Sequence, residues 1–293
     1  MSIAIIFGGT GQDAFYLKEI FNLKYIKTIL ISRVQGDYIG DVGNFQFVEN
    51  LIKKYKPNYV IHFAATSSIN HEYIINNHNS ILTGTINILE SVKLHSINTK
   101  IFLSGSALQF KNEGLPINEQ SLFDYSNHYS ILRNQCVDFA KYYRNNYGLK
   151  VYIGYFFNHD SPYRTENHLN KKIATAVLRI KNGSEEKIEI GNIKIKKEFN
   201  YAGDIMNAVW IFINQNSIFD LVIGSGKVYS IEEYIAYCFN SIGKNYINYI
   251  EEDKNYIPNY YVLQSDPKLL YTLGWKPVVD FYQLANFMLL KNK

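Results

Sequence analysis

The sequence predicts an α/β protein with a doubly wound parallel sheet and a smaller C-terminal domain. Three observations lead to this prediction: an apolar run that ends in closely spaced glycines, a regular alternation of strand-like and helix-like runs, and a change of pattern after residue 156. Alternating β and α segments are typical of a parallel sheet covered by helices on both faces. The 293 residues suffice for one large domain or two modest ones, each with its own core.

The glycine-rich stretch opens the chain. Residues 3–7 are apolar and β-prone, Gly8 and Gly11 follow, and residues 14–23 have a helical pattern. A buried strand, a tight glycine turn and a helix N-terminus form a cradle for phosphate, because backbone amides and the helix dipole attract anions. Gly8, Thr10 and Gly11 are therefore candidate contacts of a dinucleotide. An ordinary turn between a strand and a helix is the alternative interpretation.

Strand-like and helix-like runs then alternate. The expected strands are residues 27–31, 59–63, 100–103 and 151–156, and the expected helices are residues 45–55, 76–94 and 129–147. The strand-like runs are largely apolar, as expected for strands that are buried on both faces of a parallel sheet. Right-handed crossovers between such strands produce the Rossmann fold.

Two strand ends set the expectation for the cofactor. After the second strand of such a fold, an acidic residue binds the adenosine ribose of NAD, whereas an arginine meets the 2′-phosphate of NADP. Arg33 follows that strand and no acidic residue ends it, so we expect NAD(P) with a weak preference for NADP; a plain surface arginine is the alternative. Asp41, with Val42 after it, either caps the next helix or contacts adenine. Ala64 and Ala65 follow the third strand, where small side chains let a cofactor pack closely.

The pattern changes after residue 156, where a polar loop begins. We expect a dinucleotide-binding domain over residues 1–156, with a return segment at about 203–224, and a substrate-binding cap made of residues 157–202 and 225–293. The elements expected beyond residue 156 are helices at 169–181, 205–213 and 231–242, strands at 187–190 and 219–223, and two helices in the tail.

Composition excludes several classes of function. The formal net charge is only +4, and we find no block of lysines and arginines of the kind that nucleic acid or an anionic membrane attracts. The two cysteines lack the spacing of metal ligands, so we expect neither a metal site nor a disulfide scaffold. No signal peptide precedes the first strand, and no apolar run reaches membrane-spanning length. We therefore expect a cytoplasmic protein without nucleic-acid or membrane partners.

A candidate catalytic pair lies at the start of the expected helix 129–147. Tyr129 and Arg133 are four residues apart and therefore share one face of that helix. A neighbouring cation stabilises a phenolate, which can exchange a proton with a sugar hydroxyl while hydride moves to or from nicotinamide. Ser104 and Ser106 end the neighbouring strand, where Ser106 would hold the same oxygen atom. In a chain with 25 tyrosines, a surface Tyr–Arg pair is the alternative.

Several stretches together resemble one protein family. They are Gly8-Gly9-Thr10-Gly11-Gln12-Asp13, Ala64-Ala65, Tyr129, Phe157-Asn158-His159-Asp160-Ser161-Pro162, Lys172-Ile173, Gly191-Asn192, Asp204 and Leu273-Gly274-Trp275-Lys276-Pro277. In this order they span nearly the whole chain and resemble the extended short-chain dehydrogenases/reductases, most closely the GDP-mannose 4,6-dehydratase family. The resemblance implies a bound NAD(P), a nucleotide-diphosphate sugar (a GDP-sugar in that family) and transient oxidation at the sugar C4.

The resemblance also implies roles for individual residues. The further cofactor contacts it implies are Gln12, Asp13, Tyr129 and Arg133. The substrate contacts it implies are Ser67, Ser106, Asn158, Lys172 and Lys197, of which the last three would bind the nucleotide diphosphate. Helices 76–94 and 129–147 would pair with their copies in a homodimer.

Two departures from the family affect the chemistry. The family's Thr-Ser-Glu at the catalytic strand end aligns with residues 106–108, so Leu108 replaces the carboxylate that removes the C5 proton during dehydration. Leucine cannot act as a base, and losing such a group costs about 10²–10⁴ in rate. Arg133 replaces the family's lysine; it keeps a positive charge but is bulkier, planar and unable to give up a proton. Glu113 and Glu119 follow in a loop as candidate substitutes for the missing base.

Three functions are compatible with these residues. The first is C4 chemistry without dehydration, by a dehydrogenase, 4-keto reductase or epimerase in which Ser106 and Tyr129 handle the hydroxyl proton. The second is a 4,6-dehydratase that takes its base from elsewhere in the chain. The third is a nucleotide- or cofactor-binding protein that keeps the fold without catalysis, since fold does not determine function. We prefer the first, because the serine and the tyrosine are retained and the glutamate is not.

Overall fold

A computed structural model describes residues 2–66 and 68–290. The strands in these residues are β1 (Ile3–Phe7), β2 (Lys27–Ser32), β3 (Tyr38–Ile39), β4 (Tyr59–His62), β5 (Lys100–Ser106), β6 (Lys150–Phe156), β7 (His159–Asp160), β8 (Ile188–Ile190), β9 (Lys196–Glu198), β10 (Asn200–Tyr201), β11 (Asp220–Ile223), β12 (Val228–Ser230), β13 (Ile250–Glu252) and β14 (Val262–Leu263). The α-helices are α1 (Gln12–Leu23), α2 (Phe45–Tyr55), α3 (Ile74–Asn77), α4 (Gly84–His95), α5 (His128–Tyr147), α6 (Leu169–Lys181), α7 (Ala202–Ile213), α8 (Ile231–Asn240), α9 (Lys268–Thr272) and α10 (Phe281–Met288).

Seven strands form one sheet in the order β11-β6-β5-β4-β1-β2-β3. Every pair of neighbours in it is parallel. The chain proceeds outward from β1 through β2 and β3 on one side, and from β4 through β5 and β6 on the other. The strand order therefore reverses between β1 and β4, which opens a crevice at the carboxyl ends of these strands. The predicted doubly wound parallel sheet is confirmed.

The helix expected at residues 76–94 is interrupted. A π-helical turn, His78–Thr83, separates α3 from α4. Within it the Ser80 hydroxyl donates to the Asn76 carbonyl oxygen at 2.7 Å, and the Ser80 carbonyl oxygen is 3.0 Å from Nε2 of His62 on β4. Such polar contacts compete with the regular helical hydrogen bonds, and hydrophobic periodicity does not reveal them.

Buried side chains form a core on each face of the sheet. One core packs α2, α4 and α5 against the sheet, and the other packs α1 and α7 against the opposite face. Leu263 belongs to the first core, and Leu270 and Trp275 belong to the second. Trp275 also donates its Nε1 hydrogen to the Asp204 carbonyl oxygen at 2.9 Å. Part of the tail that was predicted for the cap therefore packs on the sheet.

A further core lies among the elements of the predicted cap. Its buried residues come mainly from α6, α8 and α10, with β8 and the loop before β9. Glu198 at the end of β9 is fully buried and accepts hydrogen bonds from the backbone nitrogens of Ser225 and Ser265, both at 2.6 Å. These bonds join three distant segments beside the end of the sheet.

Cys136 and Cys238 are free and buried. No helix among the described residues is both long enough and apolar enough to cross a membrane. Residues 2–66 and 68–290 likewise contain no group of three or more His, Cys, Asp or Glu side chains suited to hold a metal ion.

Candidate active site

The glycine turn brings the ends of β1, β2 and β4 together. The amides of Gly8 and Gly9 both donate to the Ile31 carbonyl oxygen, at 3.0 and 2.9 Å. Gly8 has a φ of +87°, and a Cβ at that position would lie 2.7 Å from the backbone nitrogen of Ala64. Only glycine satisfies both conditions. Gly11 is the N-cap of α1 and brings no side chain to the helix end, so a ligand anion can approach the first amides of the helix.

A cavity of about 260 Å³, here called the glycine cavity, lies beside this turn. Its walls include the following residues predicted to contact a cofactor: Gly8, Thr10, Gly11, Arg33, Asp41, Val42, Ala64 and Ala65. Backbone and small side chains form the wall next to α1, and the exposed Arg33 lies on the β2 side. A cradle with no bulky side chain beside a helix N-terminus fits the pyrophosphate of a dinucleotide.

Asp41 does not cap α2. The N-cap is Asn44, whose side chain accepts a hydrogen bond from the Phe47 nitrogen. Asp41 instead accepts from the Gly43 nitrogen at 2.8 Å and from Nδ2 of Asn79 at 3.2 Å, both through Oδ1. Of the two roles considered for Asp41, the capping role is therefore wrong, and the carboxylate lies in the wall of the glycine cavity.

Gln12 and Asp13 contact the segment Phe157–Pro162 rather than the glycine cavity. Gln12 is buried; its Nε2 donates to the His159 carbonyl oxygen at 3.2 Å, and its Oε1 accepts from the Ser161 hydroxyl at 2.8 Å. Asp13 Oδ1 accepts from Nε2 of His159 at 3.0 Å. The stretches Gly8–Asp13 and Phe157–Pro162 are thus bonded to each other, and they join α1 to the chain that follows β6.

The contacts of His159 favour the cationic form of its imidazole. Its Nδ1 donates to the Phe157 carbonyl oxygen at 2.8 Å and its Nε2 donates to the Asp13 carboxylate, so both ring nitrogens carry a proton. Burial opposes this charge, but the charge and hydrogen bond of Asp13 raise the pKa of His159 above its ordinary value. Burial also opposes ionisation of Asp13, yet the charge and hydrogen bond of His159 lower the pKa of that carboxyl.

A second cavity of about 210 Å³, here called the tyrosine cavity, adjoins the first at Phe63. Its walls include Asp13, Ser104, Ser106, Leu108, Tyr129, Arg133, Asn158, Arg164 and His168. Tyr129 lies in the first turn of α5, where Asn127 caps the helix by accepting from the Ser130 nitrogen at 2.9 Å. Arg133 Nε donates to the Tyr129 phenol oxygen at 3.3 Å. The predicted tyrosine–arginine pair thus faces a cavity rather than solvent.

Arg133 is fixed to the end of β5. Its Nη1 donates to the Ser104 carbonyl oxygen and, at 3.2 Å, to the Ser104 hydroxyl oxygen. Burial, assisted by the positive charge of Arg133, lowers the pKa of His62 to about 3. His62 is therefore neutral near pH 7 and donates its Nε2 proton to Ser80 O. Arg133 supplies the positive charge beside Tyr129 from a rigid position.

Ser106 is held by a network that joins β5 to α5. Its hydroxyl oxygen accepts from the Leu108 nitrogen at 3.2 Å, and its own nitrogen donates to Oε1 of Gln109 at 2.7 Å. The buried Gln109 donates in turn to Oδ1 of Asn134 at 3.1 Å. Within the described residues no acceptor takes the hydroxyl proton of Ser106, which is therefore available to a ligand. We did not predict Gln109 and Asn134, although the capping-box spacing of Ser106 and Gln109 signals the first of them.

The two candidate substitutes for the missing base lie in different places. Oε1 of Glu119 accepts from the Val222 nitrogen at 2.8 Å, and burial raises the pKa of this carboxyl. Glu119 therefore supports the edge strand β11 and does not line the tyrosine cavity. Glu113 lines another cavity, on the far side of Leu108. Leu108 itself presents an apolar side chain to the tyrosine cavity.

Asn158 is the predicted substrate contact whose environment most favours a bound ligand. It lines the tyrosine cavity, and its Oδ1 atom is buried without a hydrogen-bond partner among the described residues. A buried polar atom without a partner is costly unless a bound group or water satisfies it. The predicted contact Ser67 lies outside the described residues.

The two predicted lysines lie away from both cavities. Lys172 is exposed, and its Nζ donates to the Glu189 carbonyl oxygen at 2.9 Å. Lys197 is buried; burial lowers the pKa of its ammonium, and the nearby charge of Asp160 opposes that shift. Lys197 Nζ is also 5.2 Å from the centre of the Phe199 ring.

Two basic residues that we did not predict do line the tyrosine cavity. Arg164 Nε donates to Oδ1 of Asp160 at 3.0 Å, and its Nη2 donates to the His159 carbonyl oxygen at 3.2 Å. Burial, together with the charge of Arg164, lowers the pKa of His168. Their position directly after the Phe157–Pro162 stretch is the signal that was available in the sequence.

Comparisons with known proteins agree with this architecture. A family model described as GDP-mannose 4,6 dehydratase matches residues 5–288. The chain is 30% identical over 318 residues to GDP-mannose 4,6 dehydratase 2 of Arabidopsis thaliana. The alignment covers 98% of this chain and 85% of the relative.

Solved structures share the fold at lower identity. A dTDP-glucose 4,6-dehydratase from Bacillus anthracis in complex with NAD has a TM-score of 0.86 at 17% identity and covers 99% of this chain and 96% of the other. A UDP-glucose 4-epimerase from Thermus thermophilus in complex with NAD has a TM-score of 0.85 at 17% identity. The match covers 98% of this chain and 97% of the epimerase. The family model extends over nearly the whole chain, and the predicted resemblance is confirmed: the protein belongs to the GDP-mannose 4,6-dehydratase family.

Proposed function

We propose that the protein is an NAD(P)-dependent enzyme that oxidises or reduces a nucleotide-diphosphate sugar at C4, as a dehydrogenase, 4-keto reductase or epimerase. The main support is the hydrogen bond of 3.3 Å between Arg133 and the Tyr129 phenol, in a cavity that also contains Ser106 and adjoins the glycine cavity. A hydroxyl and a cation-supported phenol beside a dinucleotide cradle suit proton transfer coupled to hydride transfer.

The glycine cavity would hold NAD(P), which supplies or accepts the hydride when bound. Gly8 and Gly11 would let the pyrophosphate approach the first amides of α1. Arg33 lies in the same wall, where its guanidinium would meet a 2′-phosphate, and this supports the expected preference for NADP.

The proton would move between the sugar and Tyr129. During oxidation the tyrosine phenolate accepts the proton of the C4 hydroxyl as the carbonyl forms, and during reduction the phenol returns it. Arg133 stabilises the phenolate, while Ser106 donates a hydrogen bond to the C4 oxygen in both directions. Arg133 itself keeps its proton, so it acts through charge and position.

The substrate class follows from family membership and from the charges around the tyrosine cavity. The Arabidopsis relative is named for GDP-mannose, which favours a GDP-sugar. Arg164 and Asn158 line the cavity and would contact the diphosphate. The buried Lys197 lines neither cavity and would act on the diphosphate only through its charge. We also retain the expectation of a homodimer through residues 76–94 and 129–147, which sedimentation at micromolar concentration would test.

Leu108 is the reason that we place redox chemistry before dehydration. Dehydration needs a base for the C5 proton, and leucine supplies none. Restoring a carboxylate with Leu108→Glu should therefore not be required for C4 turnover.

Product masses provide the first test. The purified protein would be incubated with NAD(P), in either redox state, and a panel of nucleotide sugars that includes GDP-mannose. A change of two hydrogens supports C4 oxidation or reduction, and an unchanged mass with altered NMR couplings supports epimerisation. If no sugar reacts unless Leu108→Glu is introduced, the proposal is wrong.

A 4,6-dehydratase is the second candidate, because the matching family model and the Arabidopsis relative are both named for that reaction. In that case a product lighter by one water would form with the unchanged protein. Glu113, on the other side of Leu108, would be the first residue to examine as the base, and Glu113→Gln would then suppress the loss of water.

A further inference from the structure

A third cavity lies beyond Leu108 and is larger than either of the other two. Its volume is about 410 Å³, against about 210 Å³ for the tyrosine cavity. We call it the outer cavity. The outer and tyrosine cavities share part of their walls, namely Ile69, Ala107, Leu108, Tyr260 and Leu263. A ligand in the tyrosine cavity therefore needs only to pass these side chains to extend into the outer one.

Apart from Phe110, the remaining wall of the outer cavity is polar, and it includes the basic Lys111. Glu113 and Asp124 bring carboxylates, and Asn112, Asn127 and Asn259 bring amides. Asp124 accepts a hydrogen bond from the Ser126 nitrogen at 3.2 Å, which fixes its carboxylate and leaves acceptor capacity on both oxygens. Carboxylates and amides suit hydroxyl groups. A hydroxyl donates to a carboxylate, and it can both donate to and accept from an amide.

We propose that the outer cavity binds a hydroxylated arm on C5 of the sugar, so that the preferred substrate is a nucleotide sugar with a longer carbon chain than a hexose. This inference rests on the proposed function, because it assumes a sugar in the tyrosine cavity. Leu108 occupies the position from which the family's carboxylate would reach C5, so a C5 substituent would lie against Leu108. The single hydroxymethyl group of a hexose leaves most of the space beyond Leu108 to water.

The substitution at Leu108 has a second consequence in this arrangement. A carboxylate at that position would be charged and hydrated at the junction of the two cavities. An apolar side chain there lets the carbon backbone of a longer sugar pass while its hydroxyl groups reach the polar wall beyond. The same substitution that removes the base thus suits a longer substrate.

Equilibrium binding tests the inference independently of turnover. Isothermal titration calorimetry would compare GDP-mannose with the GDP-heptose that has the same ring stereochemistry and one further hydroxylated carbon, each in the presence of NADP. One or two added hydrogen bonds should make the heptose bind about tenfold more tightly. Equal affinities, or tighter binding of the hexose, would overturn the inference.

A matched pair of variants locates the effect. Glu113→Trp places a large ring in the wall of the outer cavity, whereas Leu115→Trp places the same ring on the same loop at a residue that is 69% exposed and outside that wall. Glu113→Trp should abolish the heptose preference, and Leu115→Trp should retain it. If Glu113→Trp weakens GDP itself as much as the GDP-heptose, the cavity holds the nucleotide and the inference is wrong.

The two proposals fail in different ways. A heptose preference in binding without any product would support the inference while refuting the proposed C4 chemistry. Turnover of both sugars with equal affinity and equal kcat/KM would support the C4 chemistry and refute the inference. A GDP-hexose with an N-acetyl group at C2 serves as a further probe; tighter binding of that sugar, lost in Glu113→Trp, would assign the cavity to C2 rather than to C5 and would overturn the inference.

Discussion

Backbone and small side chains form much of the glycine cavity, whereas longer polar and aromatic side chains dominate the tyrosine cavity. The turn of the glycine cavity comes from one short stretch, in which Gly8 and Gly9 bond to the end of the next strand. The tyrosine cavity combines the end of β5, the start of α5 and the segment after β6. The glycine turn is therefore specified locally, although its cavity also takes walls from the ends of β2 and β4. The catalytic side chains of the tyrosine cavity instead depend on distant segments that the fold brings together.

This difference separates dinucleotide binding, a general property of glycine turns, from the chemistry on the sugar, which needs particular side chains. A pyrophosphate cradle needs backbone amides and free space, which many glycine turns provide. Proton transfer to a particular sugar oxygen needs side chains held in fixed positions by further side chains, here Arg133 on Ser104 and Gln109 on Ser106. Changes in the tyrosine cavity should consequently affect turnover, and changes in the glycine cavity should affect folding and cofactor binding.

The largest effect should come from Tyr129→Phe. Removing the phenol oxygen eliminates the proton acceptor, so turnover should fall by about 10²–10⁴ while NAD(P) still binds. Tyr147→Phe, at an exposed position on the same helix, is the control. Product formation by mass spectrometry and cofactor binding by fluorescence would be measured together. Unchanged turnover in Tyr129→Phe would contradict the assignment of proton transfer to the tyrosine cavity.

Gly8→Ala should mainly destabilise the fold. The positive φ costs a side chain about 1–2 kcal/mol, and the clash with the backbone of Ala64 adds about 1–3 kcal/mol. Gly114→Ala separates the two terms, because Gly114 has a φ of +80° and a Cβ there meets no atom within 4 Å. Urea denaturation would give both free energies of unfolding. Equal losses for the two variants would show that the close approach to Ala64 is unimportant.

The Asp13–His159 pair should make stability depend on pH. The raised pKa of His159 means that its contribution is complete below about pH 6.5 and is lost as the pH rises through the raised value. The lowered pKa of Asp13 means that its contribution is complete above about pH 3.8 and is lost as the pH falls through the lowered value. The pair therefore stabilises the fold most between these two limits.

His159→Gln provides the measurement, because glutamine does not titrate. The difference in free energy of unfolding between the unchanged protein and His159→Gln should shrink as the pH rises above 6.5. Each unit by which the pKa of His159 exceeds its ordinary value contributes about 1.4 kcal/mol. A difference that stays constant from pH 6 to pH 9 would mean that His159 carries no extra proton in the folded state.

The smallest effect should come from Arg33→Ala. Losing one charge-assisted contact with the 2′-phosphate should weaken NADP binding by about tenfold and leave NAD binding unchanged. NAD is therefore the internal control in a titration of both dinucleotides. An equal loss for NAD and NADP would show that Arg33 acts on the shape of the glycine cavity rather than on the phosphate.

The sequence was a good guide to the fold and to single strand ends, and a poorer one to contacts between distant segments. Residues 45–55 and 169–181 were predicted as helices with the bounds that the structure has. The π-helical turn at His78–Thr83 was missed, because it depends on polar contacts of Ser80 that leave no hydrophobic pattern. Strand β3 has only two residues, too few for a pattern to be recognised.

The predictions for the candidate site show the same difference between local contacts and contacts of distant segments. The spacing of Tyr129 and Arg133 on one helix placed them together correctly, since a helix brings residues four apart onto one face. The family resemblance implied cofactor contacts for Gln12 and Asp13, whereas their hydrogen bonds go to residues almost 150 positions later in the chain. Arg164 and His168 were missed: their position after the Phe157–Pro162 stretch was a signal, but hydrophobic periodicity does not show that they reach the tyrosine cavity.

The bonds of Gln12 and Asp13 also limit how the sequence can drift over evolutionary time. Replacing Ser161 alone would leave the buried Oε1 of Gln12 without the hydroxyl hydrogen that it now accepts, and replacing His159 alone would leave the Asp13 carboxylate without its cation. Each such single change leaves a buried polar group without its partner, which should lower the free energy of unfolding by about 1–3 kcal/mol, or by more where the group is charged. The two stretches should therefore be inherited together or be altered together, and a descendant that keeps one of them should be found to keep the other.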